Sequence, residues 1–192
     1  MKTRVKRLTR TTGTRPLARP MTMQVAAICY RRSEFSVEFL LVNTSAGKWT
    51  FPKGRIAPEM SPSQAAQQEA LEEAGAMGIV DESCLGHYLD LKRALGHDNR
   101  SREILVAAYL LEVESTSMAQ EPGRNPTWFT AEEAKQRLSE QRTAKYSSEL
   151  ARMVDVAEII IQRSTPGPRH DRAYINSADG FGRDAEGFER TD

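Results

Sequence analysis

The chain has 192 residues, of which 39% are hydrophobic and 28% are charged, and this composition favours a single globular domain with one packed core. Its two cysteines, Cys29 and Cys84, match no metal-ligand or redox spacing, which excludes a disulfide-rich scaffold and favours a reducing, cytoplasmic location. The net charge of +1 hides an uneven distribution, because residues 1–20 carry seven basic side chains and no acidic one.

Residues 1–20 lack apolar periodicity, so we expect a basic, flexible arm ahead of a domain that spans residues 21–163. Such an arm can favour phosphate-rich partners, although a solvated tail is the simpler interpretation. Its charges are not interleaved with aromatic residues, so a nucleic-acid partner is not expected. A membrane partner is not expected either, because the longest apolar run, residues 104–111, is too short to span a bilayer.

Apolar runs with the composition of β-strands occur at five places along the domain. The first two, residues 24–30 and 37–42, are separated by a polar turn and predict a hairpin. The other three lie at residues 86–91, 103–113 and 127–129. Together these runs predict a sheet at the centre of the domain.

Three helices are predicted from capping residues and apolar spacing. The first covers about 62–74, between Ser61 at the N-cap and Gly75 at a left-handed C-terminal cap. The second opens at a capping box that begins at Thr130. The third spans 146–163 and carries one apolar stripe, formed by Leu150, Met153, Val154, Ala157 and Ile161. Beyond it, the Pro, Gly, Asp and Arg content predicts a disordered tail over residues 164–192.

The first helix carries three carboxylates, Glu69, Glu72 and Glu73, at positions i, i+3 and i+4. This spacing places all three on one helix face, within an arc of roughly 100°. Like charges so spaced oppose helix formation by about 0.2–0.5 kcal/mol per pair, so a nearby cation is expected to offset the cost. Hard oxygen ligands of this kind suit Mg²⁺ or Mn²⁺. The alternative is an acidic face that is simply solvated.

The surroundings of this helix favour a site over a solvated face. Its opposite side carries Ala66, Ala70 and Ala74, small residues that let the helix lie close to a sheet. Ahead of it lies a turn through proline and glycine at residues 51–54, where backbone carbonyl groups can approach a metal without hindrance from a side chain.

The segment from Gly54 to Ala76 resembles the Nudix box, a loop-and-helix signature of a family of diphosphate hydrolases. The positions in register are Gly54, Glu69, Glu72, Glu73 and Gly75. The sequence at residues 49–54 is similar to the same segment in family members that act on dinucleoside polyphosphates. The chain also resembles the diphosphoinositol polyphosphate branch. The resemblance covers about 22–163 and implies an α/β/α sandwich built on a mixed β-sheet.

Two positions depart from the family pattern. Met60 stands where the box has glutamate, and Gln68 stands where it has arginine. In the family these two residues form an ion pair that braces the loop against the helix, so their replacement implies the loss of one structural contact. We expect Met60 and Gln68 to contact each other instead; the alternative is that a shifted loop supplies the carboxylate of Glu59.

The resemblance implies metal-dependent hydrolysis of a diphosphate bond in a nucleoside diphosphate linked to another group. Glu69 and Glu73 are then expected to bind Mg²⁺ or Mn²⁺, helped by a backbone carbonyl group near Lys53 or Gly54. Glu72 is expected to orient or deprotonate the attacking water. Candidates for an extra metal-binding carboxylate from outside the box are Glu112, Glu114 and Glu121, and surface exposure is the simpler interpretation of each.

The substrate is expected to be a small polyphosphate held by cationic side chains, since guanidinium groups bind phosphate oxygens in pairs. The candidates are Lys53, Arg55, Arg100 and Arg102. Dinucleoside polyphosphate and diphosphoinositol polyphosphate are the leading substrate classes, with ADP-ribose or a nucleotide sugar as the alternative. A further alternative is a module that senses a nucleotide without cleaving it. Oligomeric state is open, and exposed strand edges permit a homodimer.

Overall fold

A computed structural model of the chain describes residues 23–33, 36–93 and 101–164. The elements, in chain order, are β1 (Met23–Arg32), β2 (Val37–Asn43), β3 (Trp49–Thr50), β4 (Lys53–Gly54), α1 (Pro62–Ala74), β5 (Ala76–Arg93), β6 (Ser101–Thr116), β7 (Thr127–Thr130), α2 (Ala131–Ser139) and α3 (Ala144–Arg163). The arm expected at residues 1–20 and the tail expected beyond residue 164 lie outside the described residues.

The strands form a seven-stranded mixed sheet. Its main path runs β3-β2-β1-β6-β5, with β4 paired to β1 and β7 paired to β2. The central strands β1 and β6 are parallel, and the other pairs are antiparallel. The hairpin predicted from the first two apolar runs is confirmed as the β1–β2 pair. The predicted mixed sheet is therefore present.

Helices cover both faces of this sheet, and the alternation along β1 shows how. Val25 and Ala27 point to the face covered by α1 and belong to a buried cluster with its three aligned alanines, Ala66, Ala70 and Ala74. Ala26 and Ile28 point to the other face, in a cluster with buried residues of α2 and α3. The two buried clusters give the three layers of an α/β/α sandwich, as predicted.

The helix boundaries agree with the capping signals. α1 begins at Pro62 after a capping box between Ser61 and Gln64, and it ends at Gly75, whose φ of 63° lies in the left-handed region. Thr130 and Glu133 form the predicted capping box of α2. All five residues of the apolar stripe in α3 are buried. The helix itself begins at Ala144, slightly before its predicted start.

The sheet differs from the prediction mainly in β5, which begins ten residues earlier than the run at 86–91. Its pairing with β6 shifts register between Met77 and Gly78, between Val80 and Cys84, and between Cys84 and Gly86. Such irregularities interrupt the alternation by which a strand is recognised. None of the helices in the described part of the chain is long and apolar enough to cross a bilayer.

Candidate active site

Glu73 is the most deeply placed carboxylate of α1, with 4% of the residue exposed. Its Oε2 accepts a hydrogen bond from the backbone N–H of Lys53 at 3.1 Å, which joins the helix to β4. Its Oε1 forms an ion pair with the guanidinium of Arg124. Burial raises the pKa of Glu73, while Arg124 and the N–H of Lys53 act in the opposite direction.

Glu69 lies against Gly54, one turn before Glu73 on the same helix face. A methyl group at Gly54 would lie 1.7 Å from Glu69 Oε1, so the carboxylate fills the space that a side chain there would take. Burial, followed by the negative charges of Glu73 and Glu72, raises the pKa of Glu69 to about 7. The helix and the glycine turn therefore hold this carboxylate among like charges, where a cation would stabilise its ionised form.

Glu72 joins α1 to the loop between β6 and β7. Its backbone carbonyl accepts hydrogen bonds from the N–H groups of Gln120 at 2.9 Å and Glu121 at 3.0 Å. Its side-chain Oε1 accepts a hydrogen bond from Gln68 Nε2 at 2.5 Å. The loop that carries Glu121 is thus fixed beside the acidic face of the helix.

The two departures from the Nudix pattern lie together. Met60 and Gln68 line one cavity of about 590 Å³, and exposed Glu59 lines it too. The amide of Gln68 is engaged by Glu72 of the same helix.

Arg124 was not among the candidate residues, yet it lies at the centre of the acidic cluster. Its guanidinium bonds to Glu121 Oε2 through Nε at 2.8 Å and Nη2 at 2.5 Å, and Nη2 also pairs with Glu73. Its Nη1 donates to the backbone carbonyl of Asn43 at 3.3 Å. The sequence offers one weak signal for Arg124, its position three residues after Glu121 in a loop that contains proline and glycine.

Of the three extra carboxylates considered, Glu121 lies at the site. Its negative charge contributes to the raised pKa of both Glu69 and Glu73. Glu112 is engaged elsewhere, since it accepts a hydrogen bond from the Tyr30 hydroxyl at 3.3 Å. Glu114 is exposed towards the end of β6.

Lys53 is adjacent to Gly54, but its side chain points to the other face of the sheet. Its ammonium donates to Thr50 Oγ1 at 2.8 Å and lies 3.5 Å from Asp90 Oδ2. Only 14% of the side chain is exposed, and burial lowers the pKa of the ammonium group. Lys53 therefore makes its direct hydrogen bond to the acidic cluster through its backbone N–H, and its positive charge also lowers the pKa of Glu73 from a distance.

The other predicted cations are less closely tied to the cluster. Arg55 is exposed immediately after the Gly54 turn, and Arg102 is exposed in β6 opposite Lys92. Arg100 lies outside the described residues.

The donor chemistry of the cluster fits a divalent cation, since Glu69, Glu73 and Glu121 offer hard carboxylate oxygens beside a glycine turn. Within the described ranges, however, no three acidic, histidine or cysteine side chains converge closely enough to hold a metal ion. The contacts give the reason, because Arg124 engages both Glu73 and Glu121 and Gln68 engages Glu72. A cation would have to compete with these protein contacts.

Comparison with known proteins bears on this arrangement. A family model described as NUDIX domain matches residues 22–150. No curated protein matches the sequence. Among similar solved structures, a C. elegans Ap4A hydrolase in a binary complex is 21% identical, with a TM-score of 0.54 over 74% of this chain and 98% of that chain.

Two further structures have the same fold. The NUDIX domain of Shewanella oneidensis NrtR, complexed with ADP ribose, is 14% identical, with a TM-score of 0.53 over 73% of this chain and 88% of that chain. A NUDIX hydrolase from Nitrosomonas europaea is 20% identical, with a TM-score of 0.53 over 72% and 89%. Identities this low establish a shared fold alone.

Proposed function

Because the chain belongs to the Nudix family of pyrophosphohydrolases, we propose that its substrate is a nucleoside diphosphate linked to another group or a related polyphosphate, with dinucleoside polyphosphate and diphosphoinositol polyphosphate as the leading classes. The observation that carries the proposal is that Glu69 fills the space beside Gly54, while Glu73 lies on the same helix face and is linked to Glu121 by Arg124. The fold shared with an Ap4A hydrolase supports the first class. The alternative substrate is ADP-ribose, which is bound by the NUDIX domain of NrtR.

Glu69 and Glu73 are the residues proposed to hold Mg²⁺ or Mn²⁺, with a backbone carbonyl group at Lys53 or Gly54 as a further oxygen donor. When bound, such an ion neutralises charge on the phosphate oxygens and lowers the pKa of a water molecule. The glycine turn and the carboxylate of Glu69 already lie against each other, because Glu69 occupies the space above Gly54. The divalent ion would also offset the mutual repulsion of the glutamates.

Glu72 is proposed to orient or deprotonate the attacking water. Gln68 binds its Oε1, so Oε2 is the atom available to accept the proton. The residue is half-buried, and its backbone is fixed by two hydrogen bonds from the loop that carries Glu121. These contacts hold the carboxylate at a defined place on the acidic face.

The polyphosphate is proposed to bind through Arg55, Lys53, Arg100 and Arg102. Arg55 is the first contact, because it is exposed and follows Gly54 directly. Lys53 would contact a phosphate only if its side chain left Thr50 and Asp90 on the other face of the sheet. Arg102 lies farther along the sheet and would serve a long polyphosphate.

The test is release of phosphate and nucleotide from a panel of diadenosine polyphosphates, diphosphoinositol polyphosphates, ADP-ribose and capped RNA. Each substrate is assayed with Mg²⁺, with Mn²⁺ and with chelator. We expect metal-dependent hydrolysis of one of the first two classes. Glu73→Gln and Glu72→Gln should each lower turnover about 100-fold or more, since each removes a group placed at the reacting phosphate.

The matched control is Glu82→Gln, which makes the same chemical change at an exposed glutamate in β5. It should leave turnover unchanged. If ADP-ribose alone is hydrolysed, the proposed substrate class is wrong and ADP-ribose takes its place. If Glu73→Gln and Glu72→Gln both keep full activity, the catalytic roles proposed for these two residues are wrong. Ligand binding without turnover across the panel would favour the sensing module.

A further inference from the structure

The guanidinium of Arg124 occupies the carboxylate oxygens that the proposed metal needs. One of its nitrogen atoms, Nη2, contacts both Glu73 Oε1 and Glu121 Oε2. The other oxygen of Glu73 is bound to the N–H of Lys53. Both oxygens of this buried carboxylate therefore already have protein partners.

Arg124 supplies the positive charge that the cluster needs when no metal is bound. Only 5% of the Glu73 side chain is exposed, and an ionised carboxylate in such a position is costly unless it is paired and hydrogen-bonded. The negative charge of Glu121 adds to this cost. A charge-assisted bond from a guanidinium is the strong kind of compensation.

A divalent cation and Arg124 cannot both bind Glu73 without repulsion, because two positive charges a few ångströms apart repel strongly in a partly buried site. Arg124 has partners other than Glu73. Two of its nitrogens bond to Glu121, which is 45% exposed, and a third donates to the carbonyl of Asn43. It can leave Glu73 and keep these partners.

The side chain is not needed to hold its own loop. The backbone N–H of Asn43 donates to the carbonyl of Arg124 at 2.6 Å, and the N–H groups of Gln120 and Glu121 donate to the carbonyl of Glu72. These backbone bonds remain when the side chain is shortened. The guanidinium can therefore act mainly by neutralising negative charge at the site.

We propose that Arg124 competes with the metal ion for Glu73. In the metal-free protein Arg124 neutralises this carboxylate; when the ion enters, Arg124 leaves Glu73 and keeps its contacts with Glu121. This inference rests on the proposed function, because it assumes that the acidic cluster binds a divalent cation. Metal affinity is then set partly by an arginine outside the Nudix box. Metal entry is coupled to the position of Glu121.

The test measures Mn²⁺ binding to the full chain by electron paramagnetic resonance or calorimetry, with no substrate present. Arg124→Gln should bind Mn²⁺ about tenfold more tightly, because it removes a strong charge-assisted competitor. It should also have a lower Tm in chelator and a larger rise of Tm on adding Mn²⁺. Arg124→Lys keeps the charge without the fork of donors and should give an intermediate affinity.

The control is Arg137→Gln, which removes the same charge from an exposed arginine of α2 that pairs with Glu140, just after the helix. It should leave Mn²⁺ affinity unchanged. If Arg124 only braces the site, Arg124→Gln will bind Mn²⁺ more weakly than the unsubstituted chain or equally well. Either result overturns the proposal. A failure of all variants to bind Mn²⁺ also overturns it. Tighter binding without turnover of any polyphosphate would leave this inference standing while the proposed substrate fails.

Discussion

At Gly54 the absence of a side chain leaves the space that the Glu69 carboxylate fills. In Gly54→Ala the new methyl group would lie 1.7 Å from Glu69 Oε1, so the carboxylate must move. The atom displaced is the end of a flexible side chain, and the fold should survive the change. We expect turnover to fall by about 100-fold, which is the order of loss that follows from misplacing a catalytic group by about an ångström.

Two readouts separate this effect from unfolding. Chemical denaturation should show a change in stability below about 1 kcal/mol, because no backbone atom is displaced. Mn²⁺ affinity should weaken, since Glu69 is a proposed ligand. Turnover equal to that of the unsubstituted chain would mean that Glu69 need not lie above Gly54 for catalysis.

The elements were predictable where their signals are local. α1 was predicted with its observed bounds because Ser61, Pro62 and Gly75 act on the helix ends directly. The early part of β5 was not, since its identity depends on pairing with β6 across several register shifts. Strands β3 and β4 have two residues each, too few to show a period.

Gly75 ends α1, and both its backbone conformation and the small space around it require glycine. Its φ is 63°, and an added Cβ would lie 2.2 Å from the backbone oxygen of Ser117. Gly47 has a similar φ of 73° with nothing within 4 Å of the added Cβ, so it is the matched control for backbone strain. Gly47→Ala should cost roughly 1–2 kcal/mol of unfolding free energy, from the left-handed conformation alone.

Gly75→Ala should cost about 1–3 kcal/mol more than Gly47→Ala, because the methyl group must displace backbone and not only a side chain. Urea unfolding of the two variants measures the difference. Equal losses would show that the chain after β6 moves away from the helix end at little cost.

For the whole molecule, the layers were predictable and the completed site was not. The resemblance to the Nudix box indicates Gly54 and the three glutamates as candidate site residues, and the fold that it implies is present. Arg124 joins Glu73 across a sequence separation that no local pattern encodes. The direction of the Lys53 side chain depends on the pairing of β4 with β1, which a two-residue strand does not reveal.

The raised pKa of Glu69 predicts a pH dependence of global stability in the metal-free chain. The folded chain holds the proton of Glu69 up to about pH 7, whereas the unfolded chain releases it near the ordinary value of 4.5. The folded state thus binds more protons in this window, so stability falls as pH rises from about 4.5 to about 7. Burial raises the pKa of Glu73 as well and adds to the same slope.

With chelator present, the urea midpoint should therefore be higher at about pH 5.5 than at about pH 8. Glu69→Gln removes the titrating group and the like-charge repulsion, so it should raise the midpoint at the higher pH and reduce the difference between the two. Mg²⁺ should raise the midpoint of the unsubstituted chain most at the higher pH, where the carboxylates are ionised and a cation replaces the missing proton. An equal pH difference in Glu69→Gln and in the unsubstituted chain would show that groups outside the acidic cluster control stability in this range.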